Sequence, residues 1–202
     1  MSDQGPRVAL TFDAEHPDRE LCPPGNAQRI LDTLAASGTV ATFFVQGRWA
    51  RSQPVLARRI ADEGHLVGHH SQFHARMPLL SDDGIRADVV EGEQDIVETT
   101  GRDPRPWFRC PFGAGMDDDR VLEVLAELGY RHVGWDVDPE DWNEEHVADD
   151  VERLVLEGLS EREGNVIVLM HGWPTATAEA LPMILRGLAD EGVELVTVDE
   201  LP

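Results

Sequence analysis

Residues 64–77 read GHLVGHHSQFHARM. The apolar run that follows Gly64 is short and bounded by glycine, which predicts a buried strand. Directly after it stand His70 and His74, four residues apart, with Ser71 beside the first. Positions i and i+4 share a face of a helix, so two histidines can meet there without any function. At the end of a strand they occupy a place where α/β proteins assemble their active sites. Neutral imidazole is a common zinc ligand, and the remaining positions of such a site take a carboxylate and water. Ser71 fills the position where the zinc-protease signature has glutamate, so that signature is absent.

The same strand pattern recurs outward from this stretch, at 7–12, 40–45, 65–69, 106–109, 131–136, 165–170 and 193–198. Helices are predicted between the runs. Residues 26–37 are amphipathic and stop before Gly38; residues 54–63 open on Pro54, which suits a first helical turn, and stop before Gly64. Ser81-Asp82-Asp83 caps a long polar helix reaching Thr100, and 117–128, 144–159 and 176–191 complete the set. Strand–helix alternation of this kind predicts an α/β fold with about seven parallel strands in a compact, irregular barrel, within one domain over residues 1–202.

Composition narrows the function. The 202 residues suffice for a sizeable core, and no apolar run is long enough to span a membrane. The net charge is −22, and all 17 basic residues are arginine. Such a chain repels polyanions, so nucleic acid is excluded as a partner. Two cysteines, Cys22 and Cys110, are too few for a disulfide framework. The opening MSDQGPRVALTFD carries neither a basic nor an apolar leader region, so a cytoplasmic location is expected, or a secreted one if a leader has been removed. The end at Leu201-Pro202, just past the last strand, leaves a homodimer open as an expectation.

Charged and imidazole groups gather at predicted strand ends. Asp13 follows the first strand, His70 and His74 the third, and Arg109 the fourth. Asp136, Asp138 and Asp141 follow the fifth, and His171 the sixth. Parallel strands bring their C-terminal ends to one face, and a charge beyond a buried strand is costly unless it is paired or solvated in a cleft. Five consecutive stations of this kind point to catalysis.

The motifs resemble those of the NodB-type polysaccharide deacetylases, the fourth family of carbohydrate esterases, over nearly the whole chain. The matching stretches are Thr11-Phe12-Asp13, His70-Ser71-Gln72-Phe73-His74, Arg109-Cys110-Pro111-Phe112-Gly113, Asp138-Pro139-Glu140-Asp141-Trp142 and Leu169-Met170-His171. The resemblance implies a distorted (β/α) barrel and metal-dependent hydrolysis of an N-acetyl C–N bond in an amino sugar or polysaccharide. It implies Asp13 as general base, His171 as general acid, Arg109 holding Asp13 and Asp141 orienting His171. Trp142, Leu169, Pro111 and Phe112 would line the substrate groove. Arg109 and Asp141 can equally be read as a buried ion pair.

One departure stands out. The family carries a second, metal-binding aspartate after the base, and here Ala14 replaces it. Glu15 is the expected substitute, because alternate strand positions point the same way, and His16 is the alternative. The expected ligand set is therefore His70, His74 and Glu15 around a divalent metal, zinc first, with cobalt, manganese or nickel as alternatives. A small non-sugar amide as substrate, or a catalytically impaired sugar-binding descendant, are the competing readings.

Overall fold

A computed structural model of the chain describes residues 7–16 and 23–201, so Cys22 lies outside the described residues. In chain order the strands are β1 Arg7–Ala14, β2 Thr42–Val45, β3 Leu66–His69, β4 Trp107–Phe108, β5 Arg131–His132, β6 Val166–His171 and β7 Glu194–Val196. The helices are α1 Asn26–Ser37, α2 Gly47–Ser52, α3 Pro54–Asp62, α4 Asp82–Thr100, α5 Asp119–Glu127, α6 Ala148–Ser160 and α7 Thr175–Asp190. Strand β1 lies between β2 and β6 in the order β5-β4-β3-β2-β1-β6, and β7 also pairs with β1. The β1–β7, β3–β4 and β4–β5 pairings are parallel. The expected (β/α) class with about seven strands holds.

The chain divides into two compact units. Among the described residues, a middle unit comprises 13–16 and 43–134, and a terminal unit comprises 7–12, 23–42 and 135–201. The middle unit is centred on Met77, Ile85, Val89, Phe108, Cys110, Val121 and Leu125, all buried. Helix α4 begins where the Ser81 hydroxyl accepts the Gly84 N–H at 3.1 Å, with Asp82 and Asp83 complementing the positive helix end. In the terminal unit, α1 stops because Gly38 takes φ 66 and returns its N–H to the Ala35 carbonyl. No helix among the described residues is long and apolar enough to cross a membrane.

Several boundaries differ from the sequence expectation, three of them near the candidate site residues. Strand β1 runs two residues further, to Ala14, so Asp13 lies inside it. The run 131–136 yields only the two residues of β5, and the chain next meets a strand at the isolated Val137–Val168 bridge. Helix α6 starts at Ala148 rather than 144, because local side chains claim the preceding amides. Asp138 Oδ1 accepts from Glu140 N at 2.8 Å and Asn143 Oδ1 from Glu145 N at 3.1 Å, which favours turns over helix. The short helix α2 had no periodic signal in its six residues.

Candidate metal centre and catalytic groups

In the middle unit the end of β1 presents two carboxylates. Asp13 and Glu15 are both buried, with Ala14 buried between them. Asp13 Oδ1 accepts from Arg109 Nη1 at 3.0 Å. Arg109, just past β4, is fully buried, and a buried guanidinium must have its donors satisfied. Its Nε donates to the Val133 carbonyl at 3.3 Å and its Nη2 to the Gly134 carbonyl at 3.1 Å, while its face stacks 4.1 Å from the Phe44 ring centroid. The arginine is thereby locked, and it fixes Asp13 with Oδ2 turned towards His70 Nε2, 3.6 Å away.

The loop after β3 is held residue by residue. His69 Nε2 donates to the Val89 carbonyl, and its Nδ1 accepts the Ser71 N–H, both at 2.9 Å. Burial pushes the His69 pKa down to about 3, outweighing the Val89 bond that raises it, so the ring is neutral and can accept. Ser71 Oγ then accepts the His74 N–H at 2.9 Å. Asp88, from α4, accepts from Gln72 N at 2.9 Å and Phe73 N at 3.2 Å. Ser71 and His74 adopt φ 62 and φ 58, left-handed conformations unusual for residues with a Cβ. These side-chain acceptors make that backbone tenable.

The result is a convergence of ligand atoms. Glu15 Oε2 lies 3.1 Å from His70 Nε2 and 2.5 Å from His74 Nε2. One ligand atom from each of Glu15, His70 and His74 lies within 4.8 Å of the others, the group among the described residues that can hold a metal ion. His70 donates Nδ1–H to the Arg109 carbonyl at 2.9 Å, which leaves Nε2 with its lone pair facing two carboxylates. Only a proton or a cation relieves that crowding. The strength of the pull shows in the His70 pKa: burial lowers it, yet the charge of Asp13 and the bond and charge of Glu15 carry it above its ordinary value. For His74 burial dominates and the pKa falls. Two imidazoles and one carboxylate suit zinc with coordination positions left open.

The terminal unit holds a second group. His171 ends β6, and its Nδ1 lies 2.6 Å from Asp141 Oδ1. Asp141 Oδ2 accepts from the His171 backbone N–H at 2.7 Å and from the Thr177 hydroxyl at 2.5 Å. Asp141 Oδ1 thus accepts the Nδ1–H of His171, which leaves Nε2 as the ring nitrogen turned away from the carboxylate. Arg109 thus bonds Asp13 in the middle unit, and Asp141 bonds His171 in the terminal unit. Of the proposed groove residues, Phe112 and Trp142 are half-exposed, whereas Leu169 and Pro111 are buried. The Cys110 thiol is buried and pushed up to about 12, which makes it an inert wall residue.

Sequence reasoning missed His69, Asp88 and Thr177. Asp88 is one of many acidic residues in α4, so nothing in the sequence marks it. His69 hid as the last residue of an apolar run. Thr177 lies in a helical turn where a hydroxyl is unremarkable.

The sequence profile described as polysaccharide deacetylase matches residues 2–133. The peptidoglycan-N-acetylglucosamine deacetylase PgdA of Listeria monocytogenes is 35% identical over 195 residues, covering 96% of this chain and 38% of its own length. The chain therefore spans well under half of that curated relative. Among solved structures, a carbohydrate esterase family 4 pseudoenzyme from Bacillus anthracis has a TM-score of 0.85 at 29% identity, covering 98% of this chain and 65% of that one. A T48 deacetylase solved with substrate has a TM-score of 0.81 at 35% identity, covering 96% and 89% respectively.

Proposed function

The chain belongs to the polysaccharide deacetylase family, and from that premise we propose that it hydrolyses the N-acetyl group of an amino sugar within a glycan, of the kind its peptidoglycan-acting relatives are named for. The observation that carries this reading is the convergence of Glu15, His70 and His74 beside the Arg109-locked carboxylate of Asp13. A divalent cation, zinc first, would be held by those three ligands, and when bound it supplies acidified water and polarisation of the acyl oxygen. Asp13 is the base that takes the proton of the attacking water, because its Oδ1 is committed to Arg109 and its Oδ2 is turned into the site. The amide C–N bond breaks, acetate forms, and His171 gives its Nε2 proton to the departing amine. The donor is the imidazolium form of His171, which Asp141, itself bonded by the Thr177 hydroxyl, orients through Nδ1–H so that Nε2–H meets the amine. Trp142 and Phe112, the exposed pair of the groove set, take the sugar faces.

A second reading, binding without turnover, is favoured by Ala14 at a ligand position and by the likeness to a pseudoenzyme. The retained base, its arginine and the His171–Asp141–Thr177 group weigh against it, since sugar binding alone requires none of them. Acetate release from N-acetylglucosamine oligomers and from peptidoglycan decides the matter, measured after chelation and again after zinc is restored. Release that depends on zinc supports hydrolysis. Glycan binding with no acetate from either substrate, at full zinc loading, overturns it.

A further inference from the structure

The replacement of an aspartate ligand by a longer glutamate raises a physical problem. Glutamate has one more rotatable bond than aspartate, so it loses more conformational freedom when ordered on a metal. Its two oxygens can also exchange or chelate together. Something must restrain it, and the next residue in the chain is placed to do so.

We infer that His16 is a positioning residue for the metal site, holding Glu15 Oε1 so that Oε2 alone is presented to the cation. His16 Nε2 lies 3.0 Å from Glu15 Oε1, on the opposite oxygen from the one facing His70 and His74. Its ring also packs edge-on against the His74 ring, centroids 4.5 Å apart at 72°, so one side chain braces two ligands. The backbone of His16 is turned to φ 54, a left-handed conformation that costs free energy in a residue with a Cβ. That turn is secured by its N–H, which donates to the buried Gln46 Oε1 at 3.1 Å. The converging ligand group is Glu15, His70 and His74, without His16. Glu15 and His16 thus form a ligand and its outer partner in adjacent positions, an arrangement that compensates for the alanine at 14. Partners of this type govern ligand orientation and metal affinity.

The inference rests on the metal reading above, and the test separates the two. Zinc affinity is measured on the full chain by competition with a chromogenic chelator, for wild type, His16→Ala, His16→Gln and Glu15→Ala. The cobalt(II) absorption spectrum is recorded for each. His16→Ala is expected to weaken zinc about 10- to 100-fold, with the tetrahedral or five-coordinate cobalt bands retained. His16→Gln, whose amide can still donate to Oε1, is expected to recover most of the loss. Glu15→Ala is expected to bind most weakly of all. Zinc affinity unchanged in His16→Ala overturns the positioning role. So does a His16→Gln variant as weak as His16→Ala, which reduces His16 to bulk, or cobalt bands showing the loss of a nitrogen donor, which makes it a ligand. Wild-type protein that binds neither metal removes the site itself, a failure distinct from these three. If His16→Ala does not fold, the comparison of His16→Gln with wild type decides, and a weakening beyond about 10-fold there overturns the role.

Discussion

The Glu15–His70–His74 group and the His171 group are built in opposite ways. In the middle unit the residues that carry or flank the ligands depart from regular backbone: His16, Ser71, His74 and Phe112 all have positive φ. Each such residue costs roughly 1–2 kcal/mol relative to ordinary backbone, and side-chain acceptors on His69, Ser71 and Asp88 hold the loop there. In the terminal unit His171 is the last residue of a regular strand and Thr177 lies in the first turns of α7. Its order comes from one carboxylate that accepts three hydrogen bonds, one of them from the imidazole Nδ1–H. The contrast suits the tasks proposed for them: a metal site needs several donors aimed at one point, whereas a proton donor needs one ring held in one orientation.

If that division is real, the two groups fail differently. Asp13→Asn and His171→Ala are each expected to lower kcat by about 10²- to 10⁴-fold, the usual contribution of a general base or acid. His171→Ala should leave zinc affinity at its wild-type value, while Glu15→Ala should lose zinc before any effect on turnover can be isolated. Parallel chelator competition and acetate assays measure both quantities. A His171→Ala protein that loses zinc would break the comparison, because the terminal group would then be serving the metal.

Acid stability sharpens the contrast next. His69 is neutral when folded, its pKa lowered from 6.5 to about 3 by burial. The unfolded chain binds this proton more readily, so the stability supplied by neutral His69 is full above pH 6.5 and is lost as pH falls from there towards 3. Unfolding free energy measured by denaturant titration should therefore fall more steeply over that window in wild type than in His69→Asn. Asparagine can still accept from Ser71 at the Nδ1 position and does not titrate, so the loss of the Val89 bond lowers stability equally at every pH and leaves the slope to report the titration. Equal slopes would place the acid sensitivity in the other histidines whose pKa is lowered, among them His65, His74 and His132, the last to about 4.

Much of this was legible in the sequence for a definite reason. The fold was readable because alternating apolar runs and glycine stops are dictated by burial and by helix ends, both of which leave periodic traces. The residues at strand ends were readable because a charge placed just beyond a buried strand is tolerated only when it is paired or solvated in a cleft. Even the convergence of Glu15, rather than residue 14, with the two histidines could be argued, since alternate positions of an extended segment share a side. What escaped were partners chosen by tertiary contact. Asp88 holds amides sixteen and fifteen positions away in the chain, and Thr177 meets Asp141 across thirty-six. No local period encodes either pairing. The short strands β4 and β5 were overestimated for the same reason, since their ends are fixed by which neighbour they pair with.

Those two unmarked residues give the smallest expected effects and the closest comparison. Asp88→Asn replaces one acceptor oxygen by an NH₂ group facing a backbone N–H, so one bond is lost and a donor is left opposed to another donor. The cost is about 1–3 kcal/mol of unfolding free energy, and because the bonds hold the loop between His70 and His74, zinc affinity should fall as well. Thr177→Val removes one of the donors to Asp141 while keeping the shape of the side chain. The expected cost is about 1 kcal/mol, read as a several-fold loss of kcat with zinc affinity unchanged. Thr177→Ser should restore the rate, since the hydroxyl is retained. Each variant thus removes a polar partner one step behind a functional side chain, but one is read in metal affinity and the other in turnover. Should Asp88→Asn alter only turnover, the loop would not be a metal scaffold. Should Thr177→Val weaken zinc, the two groups would be a single coupled unit rather than two separately ordered ones.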